Sequence, residues 1–393
     1  MKNKDNKDDL IIGKVFFDKY TVVQKIGEGS FGKIFLGKDV KTNDKFAIKF
    51  ELKKESSNLL KKEAYTMLDL KNSNLPKVYS YGTTNDYNIL VMELLGDSLE
   101  TCFNKCGKRI SVKSACMLGI EMVNLCSFIH SKGFLHRDIK PDNYMFGRDK
   151  KKRRLYMIDF GLSKKYIDDN KKHLPIQHGK KLVGTARYAS INTHKGVEQG
   201  RRDDLESIGY ILIYLMKGVL PWQGLQIKQG EDHYLKIAQK KQEVKITDLC
   251  EGLPKQFAAY IDAVRKLKYE ELPKYDYLIS LFKVVLEHEY KITNIEYDYD
   301  WLNESKNLDD KKKSNISNDN KDKDHPDATN SKFNNSNIIS MIMQNGNGHS
   351  KNSMRVSKNS AFSKKSITDD IGVGPNGLDD KEGIFELDAD SFE

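Results

Sequence analysis

The sequence predicts an α+β fold with two lobes, in which a small five-stranded β lobe with one helix precedes a larger, mainly α-helical lobe. Short runs rich in β-branched and aromatic residues, separated by turn residues, occupy the chain from Lys19 to Glu93. From Gly96 onward the apolar residues follow helical spacing. Beyond Trp301 the chain has no tyrosine and no further tryptophan, and Asn, Lys, Asp and Ser dominate up to about Asp370. The folded part is therefore expected to end near Trp301.

These changes in composition divide the chain into three segments. Residues 1–13 are charged, and we expect a disordered N-terminal extension there. Residues 14–302 form the predicted folded domain, with the small lobe over about 14–95 and the helical lobe over about 96–302. Residues 303–393 are too polar to offset the entropy of ordering by burying apolar surface, which predicts a disordered tail rich in Asn, Lys, Ser and Asp.

The strands and helices are assigned from residue patterns. Strands are predicted over residues 20–26, 34–38, 46–51, 78–81 and 88–93, with a helix over residues 59–70. Ser111 is a suitable N-cap for a helix that runs to about Ser131. A helix from about Asp203 to Lys217 is apolar nearly all round, which is typical of a helix buried in a large lobe. Further helices are predicted near residues 234–241, 256–267 and 277–289.

The net charge of the chain is consistent with anionic partners but does not by itself identify one. The net charge of +10 and the pI of about 9.0 favour anionic partners. A Lys-rich composition spread over solvated surfaces explains the same excess. We expect no nucleic-acid partner.

The cysteines and the apolar segments indicate a soluble intracellular protein. The five cysteines are odd in number and include no C-x-x-C pair, which argues against a disulfide framework or a zinc site. The N-terminus has no apolar segment of a secretory signal. The longest apolar run, residues 208–216, is too short to span a bilayer, so we expect no membrane anchor.

A glycine-rich segment lies between the first two predicted strands. Residues 27–34, G-E-G-S-F-G-K-I, match G-x-G-x-x-G, in which backbone N–H groups can approach phosphate oxygens. A strand follows these glycines rather than a helix, which excludes the dinucleotide-binding fold. By itself the segment is equally consistent with a glycine-rich hairpin turn.

A lysine follows on the third predicted strand, in A-I-K over residues 47–49. Lys49 on a rigid strand can hold the α- and β-phosphates of a nucleotide, and Glu63 in the next helix can hold Lys49. Taken alone, Lys49 could equally be a surface lysine on an edge strand.

Two further strings predict catalytic and metal-binding side chains. Residues 136–143 read H-R-D-I-K-P-D-N. In this string Asp138 would orient a hydroxyl and accept its proton, Lys140 would neutralise the transferring group, and Asn143 would bind Mg²⁺. Residues 159–161 read D-F-G after a predicted strand, and the Asp159 carboxylate is a second oxygen ligand for Mg²⁺.

Together and in this order, the four strings resemble the protein kinase signature. Phosphoryl transfer needs positioning and neutralisation of negative charge, and the six side chains named for it are all present. They are Lys49, Glu63, Asp138, Lys140, Asn143 and Asp159. Their presence favours an active enzyme that uses ATP and Mg²⁺ over a kinase-fold scaffold with weak turnover, which stays the alternative.

Four more segments resemble the casein kinase 1 family. The usual A-P-E is absent, and residues 184–194 read G-T-A-R-Y-A-S-I-N-T-H. Residues 201–207 read R-R-D-D-L-E-S, residues 220–225 L-P-W-Q-G-L and residues 92–96 M-E-L-L-G. The resemblance covers about residues 14–302. It favours this family over the tau-tubulin and vaccinia-related kinases.

The resemblance implies a two-lobed protein kinase fold with serine/threonine specificity. It implies protein substrates that are acidic or already phosphorylated, and we expect a monomer in the cytoplasm, with the nucleus as a second location. It also implies an ATP site formed by Ile26, Gly27, Gly29, Gly32, Ile34, Ala47, Lys49, Met92, Glu93 and Leu95. Asp204 would brace the catalytic loop, and Thr185 would bond near Asp138.

Basic residues around the activation segment form the implied site for a substrate phosphate. They are Arg137, Lys164, Lys180 and Arg187. Arginine and lysine bind phosphate through charge-assisted hydrogen bonds. Alternatively, they pair with local carboxylates such as Asp168 and Asp169. The sequence departs from the family at residues 230–233, G-E-D-H, where a basic stretch is usual.

Overall fold

The structure is a computed structural model that describes residues 11–29, 32–53, 58–226, 231–302 and 385–386. Its strands are β1 (Val15–Phe16), β2 (Tyr20–Gly29), β3 (Gly32–Asp39), β4 (Lys45–Leu52), β5 (Val78–Thr83), β6 (Tyr87–Glu93), β7 (Phe134–Leu135), β8 (Tyr144–Phe146), β9 (Leu155–Met157), β10 (Lys164–Lys165) and β11 (Phe385–Glu386). Its helices are α1 (Leu59–Leu70), α2 (Leu99–Lys105), α3 (Val112–Ser131), α4 (Ile191–His194), α5 (Arg201–Lys217), α6 (His233–Glu243), α7 (Ile246–Leu249), α8 (Lys255–Lys266) and α9 (Tyr275–Tyr290).

The small lobe is an antiparallel sheet with the strand order β1-β2-β3-β4-β6-β5-β11. The five predicted strands correspond to β2 to β6, and α1 has the predicted bounds. The sheet is larger than predicted, because the two-residue strands β1 and β11 extend its edges. Side chains on one face form a separate apolar core that includes Tyr20, Phe35 and Phe50. The predicted α+β class with a β lobe and a helical lobe is confirmed.

The folded part begins earlier than expected. Ile11 is buried, and the Gly13 backbone N–H donates to the Val22 carbonyl oxygen at 2.8 Å. Disorder was expected for residues 1–13. This expectation is wrong for residues 11–13, because the buried Ile11 side chain and the Gly13 backbone hydrogen bond hold them in place. Residues 1–10 lie outside the described part of the chain.

The expected disordered tail, residues 303–393, lies outside the described residues with one exception. Phe385 and Glu386 form β11, which pairs antiparallel with β5 opposite Tyr81 and Ser80. Strand β5 would otherwise be an edge strand with unpaired backbone groups, which attract a further strand.

The helical lobe is built around α3 and α5. Helix α3 packs against α5 and α9, and α8 packs against α5 and α9. Ser111 caps α3 as predicted, since its hydroxyl accepts from the Ser114 N–H at 3.1 Å. Helix α5 is buried along almost its whole length, in agreement with its apolar pattern. Helices α2, α4 and α7 were not predicted.

Helix α3 has 20 residues and is long and apolar enough to cross a membrane by length and composition alone, which the length of the longest apolar run did not predict. In this fold 67% of its most apolar window is buried inside the protein. It is therefore a core helix of the second lobe.

The end of the helical lobe packs onto the beginning of α3. Asp300 accepts hydrogen bonds from the Ser111 N–H at 2.6 Å and the Ser111 hydroxyl at 2.8 Å. The rings of Tyr299 and Trp301 stack with centroids 4.7 Å apart, and Trp301 also contacts Phe146 at 5.0 Å. Residues up to 302 are thus part of the folded domain.

Candidate active site

The glycine-rich segment is the turn between β2 and β3. In this hairpin Gly27 pairs with Ile34 and Gly29 with Gly32. A Cβ atom at Gly32 would lie 2.3 Å from the Phe50 carbonyl oxygen, so only glycine fits there without a shift. A Cβ atom at Gly29 would meet no atom of the described residues within 4 Å. Of the two glycines that flank the turn, Gly32 is therefore the one with a steric requirement for glycine.

The residues predicted to bind ATP lie on adjacent strands of the small lobe and directly after β6. Ile34 pairs with Lys49, and Ala47 pairs with Met92. Opposed residues in an antiparallel ladder have their side chains on the same face of the sheet. The predicted residues on these strands are Ile26, Gly27, Gly29, Gly32, Ile34, Ala47, Lys49, Met92 and Glu93, and Leu95 follows β6.

Lys49 is held by two carboxylates. Its Nζ atom donates to Glu63 at 2.7 Å and to Asp159 at 3.3 Å. Burial would lower the pKa of Lys49, but the charges of Glu63 and Asp159 raise it above the ordinary value. Helix α1 and the D-F-G segment thus both position a protonated lysine.

Asp159 is ionised although it is largely buried. Burial raises the pKa of its carboxyl group, but the charges of Lys49, His136 and Lys140 outweigh burial and lower the pKa below its usual value. Asp159 has a φ of 64°, in the left-handed region that is costly for a residue other than glycine. Strain of this kind persists where the surrounding structure holds a side chain for function.

The Asp138 carboxylate is fixed by three neighbours. Lys140 donates to it at 2.7 Å, the Thr185 hydroxyl at 2.7 Å, and the Asn143 amide at 3.2 Å. The Asn143 amide also donates to the Asp138 carbonyl oxygen at 2.8 Å. The expected contact between Thr185 and Asp138 is thus present. These three donors fix the orientation of the Asp138 carboxylate.

Asp204 on α5 organises the backbone of the catalytic loop. Its carboxylate accepts from the backbone N–H groups of His136 and Arg137, each at 2.9 Å, and lies 3.0 Å from His130 Nε2. Arg137 has a φ of 69°, so the loop is held in a strained conformation at this point. The sequence predicted the bracing role of Asp204 but gave no sign of the contribution of His130.

Asn143 and Asp159 together suit a hard cation. The Asn143 amide nitrogen is engaged by Asp138, which leaves the amide oxygen for a cation, and Asp159 supplies an anionic oxygen. Mg²⁺ prefers oxygen ligands and usually takes only one or two from the protein. No group of three or more His, Cys, Asp or Glu residues suited to a metal occurs in the described part of the chain.

Comparison with known families decides the identity of the fold. Residues 20–287 match the family described as protein kinase domain. The chain belongs to the protein kinase family. Membership means a phosphotransferase that uses ATP and, typically, Mg²⁺, and whose substrates are proteins.

Three of the four basic residues predicted to bind a phosphate come together in this kinase. Lys164 lies 3.3 Å and Lys180 3.9 Å from the Glu198 carboxylate, which also interacts electrostatically with Arg137. Lys164 and Lys180 thus pair with a carboxylate, as the alternative interpretation expected, and this carboxylate is Glu198. Asp168 instead accepts from backbone N–H groups of its own turn.

The fourth basic residue, Arg187, has different neighbours. Its guanidinium lies over the rings of Tyr188 and Tyr214, at 5.7 and 5.6 Å from their centroids, and interacts with Glu100. The sequence placed Arg187 in one group with the other three because all four flank the activation segment. Chain proximity does not show which side of the segment a residue faces.

The kinase has a different anchor where A-P-E usually ends the activation segment. Glu206 on α5 accepts from the Ile191 N–H at 3.1 Å and lies 3.7 Å from Arg265. The Ser190 hydroxyl donates to Asp203 at 2.5 Å. Carboxylates on α5 therefore hold the segment that reads S-I-N.

Lys241 is a functional candidate that sequence reasoning missed. It is fully buried, and its ammonium donates to the carbonyl oxygens of Ala186 and Ala189 at 2.8 and 2.5 Å. The ammonium also lies 5.1 Å from the ring centroids of Tyr210 and Trp222. A lysine in an otherwise polar helix gives no sequence signal of such burial.

Proposed function

We propose that this kinase transfers the γ-phosphoryl group of ATP to serine or threonine in acidic or already phosphorylated proteins, in the manner of casein kinase 1. The observation that supports this most is the group of Arg137, Lys164 and Lys180 around Glu198. The activation segment that supplies Lys164 also supplies Thr185, which bonds to Asp138. An anion bound at this group would therefore lie against the activation segment. The same segment contacts Asp138, which orients the reacting hydroxyl of the substrate.

The roles of the catalytic side chains follow from their contacts. Asp138 orients the incoming hydroxyl and accepts its proton, because Thr185 and Lys140 fix the carboxylate. Lys140 then neutralises charge on the transferring group, and Lys49 holds the inner phosphates. Asn143 and Asp159 would hold Mg²⁺, which when bound offsets the negative charge of the phosphates.

Serine/threonine specificity and the casein kinase 1 type rest on particular residues. Lys140 donates to Asp138 at 2.7 Å. In the protein kinase pattern, a lysine at this position fits serine and threonine substrates rather than tyrosine. Ser190, Ile191 and Asn192 replace A-P-E, with Glu206 as the anchor. We also propose a monomer that acts in the cytoplasm, with the nucleus as a second location.

A double variant of the phosphate-binding group tests the substrate class. Lys164→Ala with Lys180→Ala should lower kcat/KM about 100-fold or more on peptides with a phosphoserine before the target serine, since each charge-assisted hydrogen bond contributes roughly 1.5–3 kcal/mol. Unprimed peptides should change little. The exposed neighbours Lys165 and Lys181, both replaced by Ala, give a control of equal charge. An equal loss on primed and unprimed peptides would contradict the assignment.

A scaffold without useful turnover is the alternative function. The ordered contacts of Lys49, Asp138 and Asp159 favour catalysis. Asp138→Asn should abolish transfer from γ-labelled ATP and, with it, the cellular function. A cellular function that survives this substitution would support the scaffold.

A further inference from the structure

A strongly basic loop joins β8 to β9 in the helical lobe. Residues 148–154 read R-D-K-K-K-R-R, and residues 148–153 are exposed. Three of the cations have partners among the described residues. The pairs are Lys151 with Glu93 at 2.9 Å, Arg153 with Asp298 at 3.9 Å and Arg154 with the Ser73 hydroxyl at 2.7 Å.

The other three cations of this loop are Arg148, Lys150 and Lys152. Their side chains form no ion pair with any residue that the structure describes. Asp149, which is also exposed, offsets only one of the three charges. By itself such a run is typical of a solvated surface, so its charge alone identifies no partner.

The basic loop lies beside the beginning of β5. The Lys77 backbone N–H, directly before β5, donates to the Glu93 carboxylate at 3.3 Å, and Lys151 donates to the same carboxylate at 2.9 Å. Arg154 bonds to Ser73, which lies on the connection that leads into β5. Two contacts therefore place the loop at this end of the strand.

Strand β11 is directed toward the same end of β5. The two strands are antiparallel, with Phe385 opposite Tyr81 and Glu386 opposite Ser80. A continuation of β11 in this register would place Asp388 opposite Val78, and the residues after it beyond the beginning of β5. A strand advances about 3.3 Å per residue, so a few further residues are enough to reach the loop.

The C-terminal residues have the charge that the loop lacks. Residues 379–393 contain seven acidic residues and one lysine. The apolar part, I-F-E-L at residues 384–387, coincides with β11, and Asp388, Asp390 and Glu393 follow it. Opposite charges on two surfaces favour one partner and one orientation over others.

We propose that residues 384–393 form an acidic strand that docks on the edge of β5 and on the basic loop of the same chain. The backbone of β11 pairs with the small lobe, and the acidic residues after it pair with Arg148, Lys150 and Lys152 of the helical lobe. The docked segment thereby links the two lobes. Because it belongs to the same chain, its occupancy does not depend on protein concentration.

The test follows amide hydrogen exchange of the full chain by mass spectrometry. Exposed ion pairs contribute little to global stability, so a local measurement is needed. Protection is the exchange rate of a fragment in the denatured chain divided by its rate in the folded chain. We expect residues 384–390 to be protected about 10-fold at low salt, and about 1 M NaCl should reduce this protection because it screens exposed charges.

Charge reversal tests whether the loop is the partner. Lys150→Glu with Lys152→Glu should lower the protection of residues 384–390 to less than about 2-fold, because attraction is replaced by repulsion. Asp388→Lys with Asp390→Lys should have the same effect. The four substitutions together should restore protection of about 10-fold, since opposite charges then face each other again.

A matched control changes the same charge elsewhere on the helical lobe. Lys255→Glu with Lys268→Glu reverses two exposed lysines, at the start of α8 and shortly after its end. This variant should keep the protection of the wild type. A loss equal to that of Lys150→Glu with Lys152→Glu would show an effect of net charge and would overturn the assignment to the loop.

Three further outcomes would contradict the proposal. Exchange of residues 384–390 in the wild type at the rate of the denatured chain would overturn the docking. Loss of protection in both reversed pairs without recovery in the combined variant would overturn their direct pairing. Protection that rises with protein concentration would show that a second copy supplies the strand, which would overturn docking within one chain.

Discussion

Two neighbouring aspartates on α5 have pKa values that are shifted in opposite directions, although burial acts in the same direction on both. Burial raises the pKa of Asp203 to about 7, although the Gly200 N–H and the Ser190 hydroxyl bond to it. Burial also acts on Asp204, but the hydrogen bond and charge of His130 outweigh it and lower its pKa. Adjacent residues of identical chemistry thus differ because their side chains face different partners. Asp204 remains a carboxylate that can hold the catalytic loop.

Asp204→Asn should reduce both activity and stability. The variant removes the charge that faces two backbone N–H groups and His130, which we expect to cost about 3 kcal/mol of unfolding free energy. Displacement of Asp138 should lower kcat by about 100-fold. Steady-state kinetics and denaturant unfolding measure the two effects.

Asp203→Asn is the matched control for this prediction. With a pKa of about 7, its carboxyl group is only about half ionised at pH 7, so the amide should change unfolding free energy by only about 1 kcal/mol and leave kcat nearly unchanged. Equal effects of the two variants would show that Asp204 has no special role in the loop.

Glu121 should make stability depend on pH. Burial raises the pKa of Glu121 to about 7, partly opposed by the hydrogen bond from the Tyr299 hydroxyl. Between pH 4.5 and 7 the folded state then binds more protons than the unfolded state, so this group lowers stability as the pH rises. Relative to Glu121→Gln, the wild type should lose up to about 3 kcal/mol of unfolding free energy over this interval.

Thermal or denaturant unfolding of both proteins at several pH values measures this difference. Glu296→Gln, at an exposed glutamate on the same terminal segment, should show no comparable dependence. A constant difference between wild type and Glu121→Gln would contradict the raised pKa.

At the scale of elements, α6 holds the backbone of the segment between Thr185 and Ser190. Lys241 on this helix bonds to two carbonyl oxygens, and Trp222 Nε1 donates to the Arg187 carbonyl oxygen at 2.7 Å. Burial lowers the pKa of Lys241 to about 7, with Glu206 acting in the opposite direction. The segment between Thr185 and Ser190 is therefore fixed through its backbone, which leaves side chains such as Arg187 exposed.

Lys241→Met should weaken binding of the protein substrate. The two carbonyl oxygens lose their buried partner, and each unsatisfied group costs about 1–3 kcal/mol. We expect KM for a peptide substrate to rise about 10-fold while KM for ATP stays within 2-fold. Lys240→Met, one position earlier on α6, is the control. If both KM values rise together, Lys241 stabilises the whole lobe and does not act on the segment.

At the scale of the whole molecule, the folded domain ends with the aromatic residues after α9. Tyr299 and Trp301 are buried, and Asp300 accepts hydrogen bonds from Ser111, the N-cap of α3. The same terminal segment thus packs its aromatic rings against Phe146 of β8 and bonds to the N-cap residue of α3. Of the C-terminal residues, the two that the structure describes, Phe385 and Glu386, add strand β11 to the small lobe.

Two truncations test this boundary. A chain that ends at residue 303 should melt within about 2 °C of the full chain, because only the two-residue pairing of β11 is lost among the described contacts. A chain that ends at residue 296 loses two buried aromatic side chains and the hydrogen bonds between Asp300 and Ser111, the N-cap of α3, and it should melt roughly 10 °C lower. Differential scanning calorimetry measures both. Equal melting temperatures would show that residues 297–302 are not part of the domain.

Much of the fold could be predicted because its signals are local. Strands β2 to β6 and helices α1, α3 and α5 agree with the prediction to within a few residues, since alternation, caps and apolar spacing are encoded nearby in the chain. The short elements β1, α2, α4 and α7 were missed. Elements of two to seven residues have too few turns or alternations to form a pattern.

The sequence by itself determined which chemical groups are present and in what order: a glycine turn, Lys49, Asp138, Asn143 and Asp159, in lobes of the predicted type. The tertiary structure alone decided the partners of these groups. It directed Lys164 and Lys180 to Glu198 and separated Arg187 from them. Local propensity depends on neighbours along the chain, whereas burial, pKa and ion pairing depend on residues that folding brings together from distant positions.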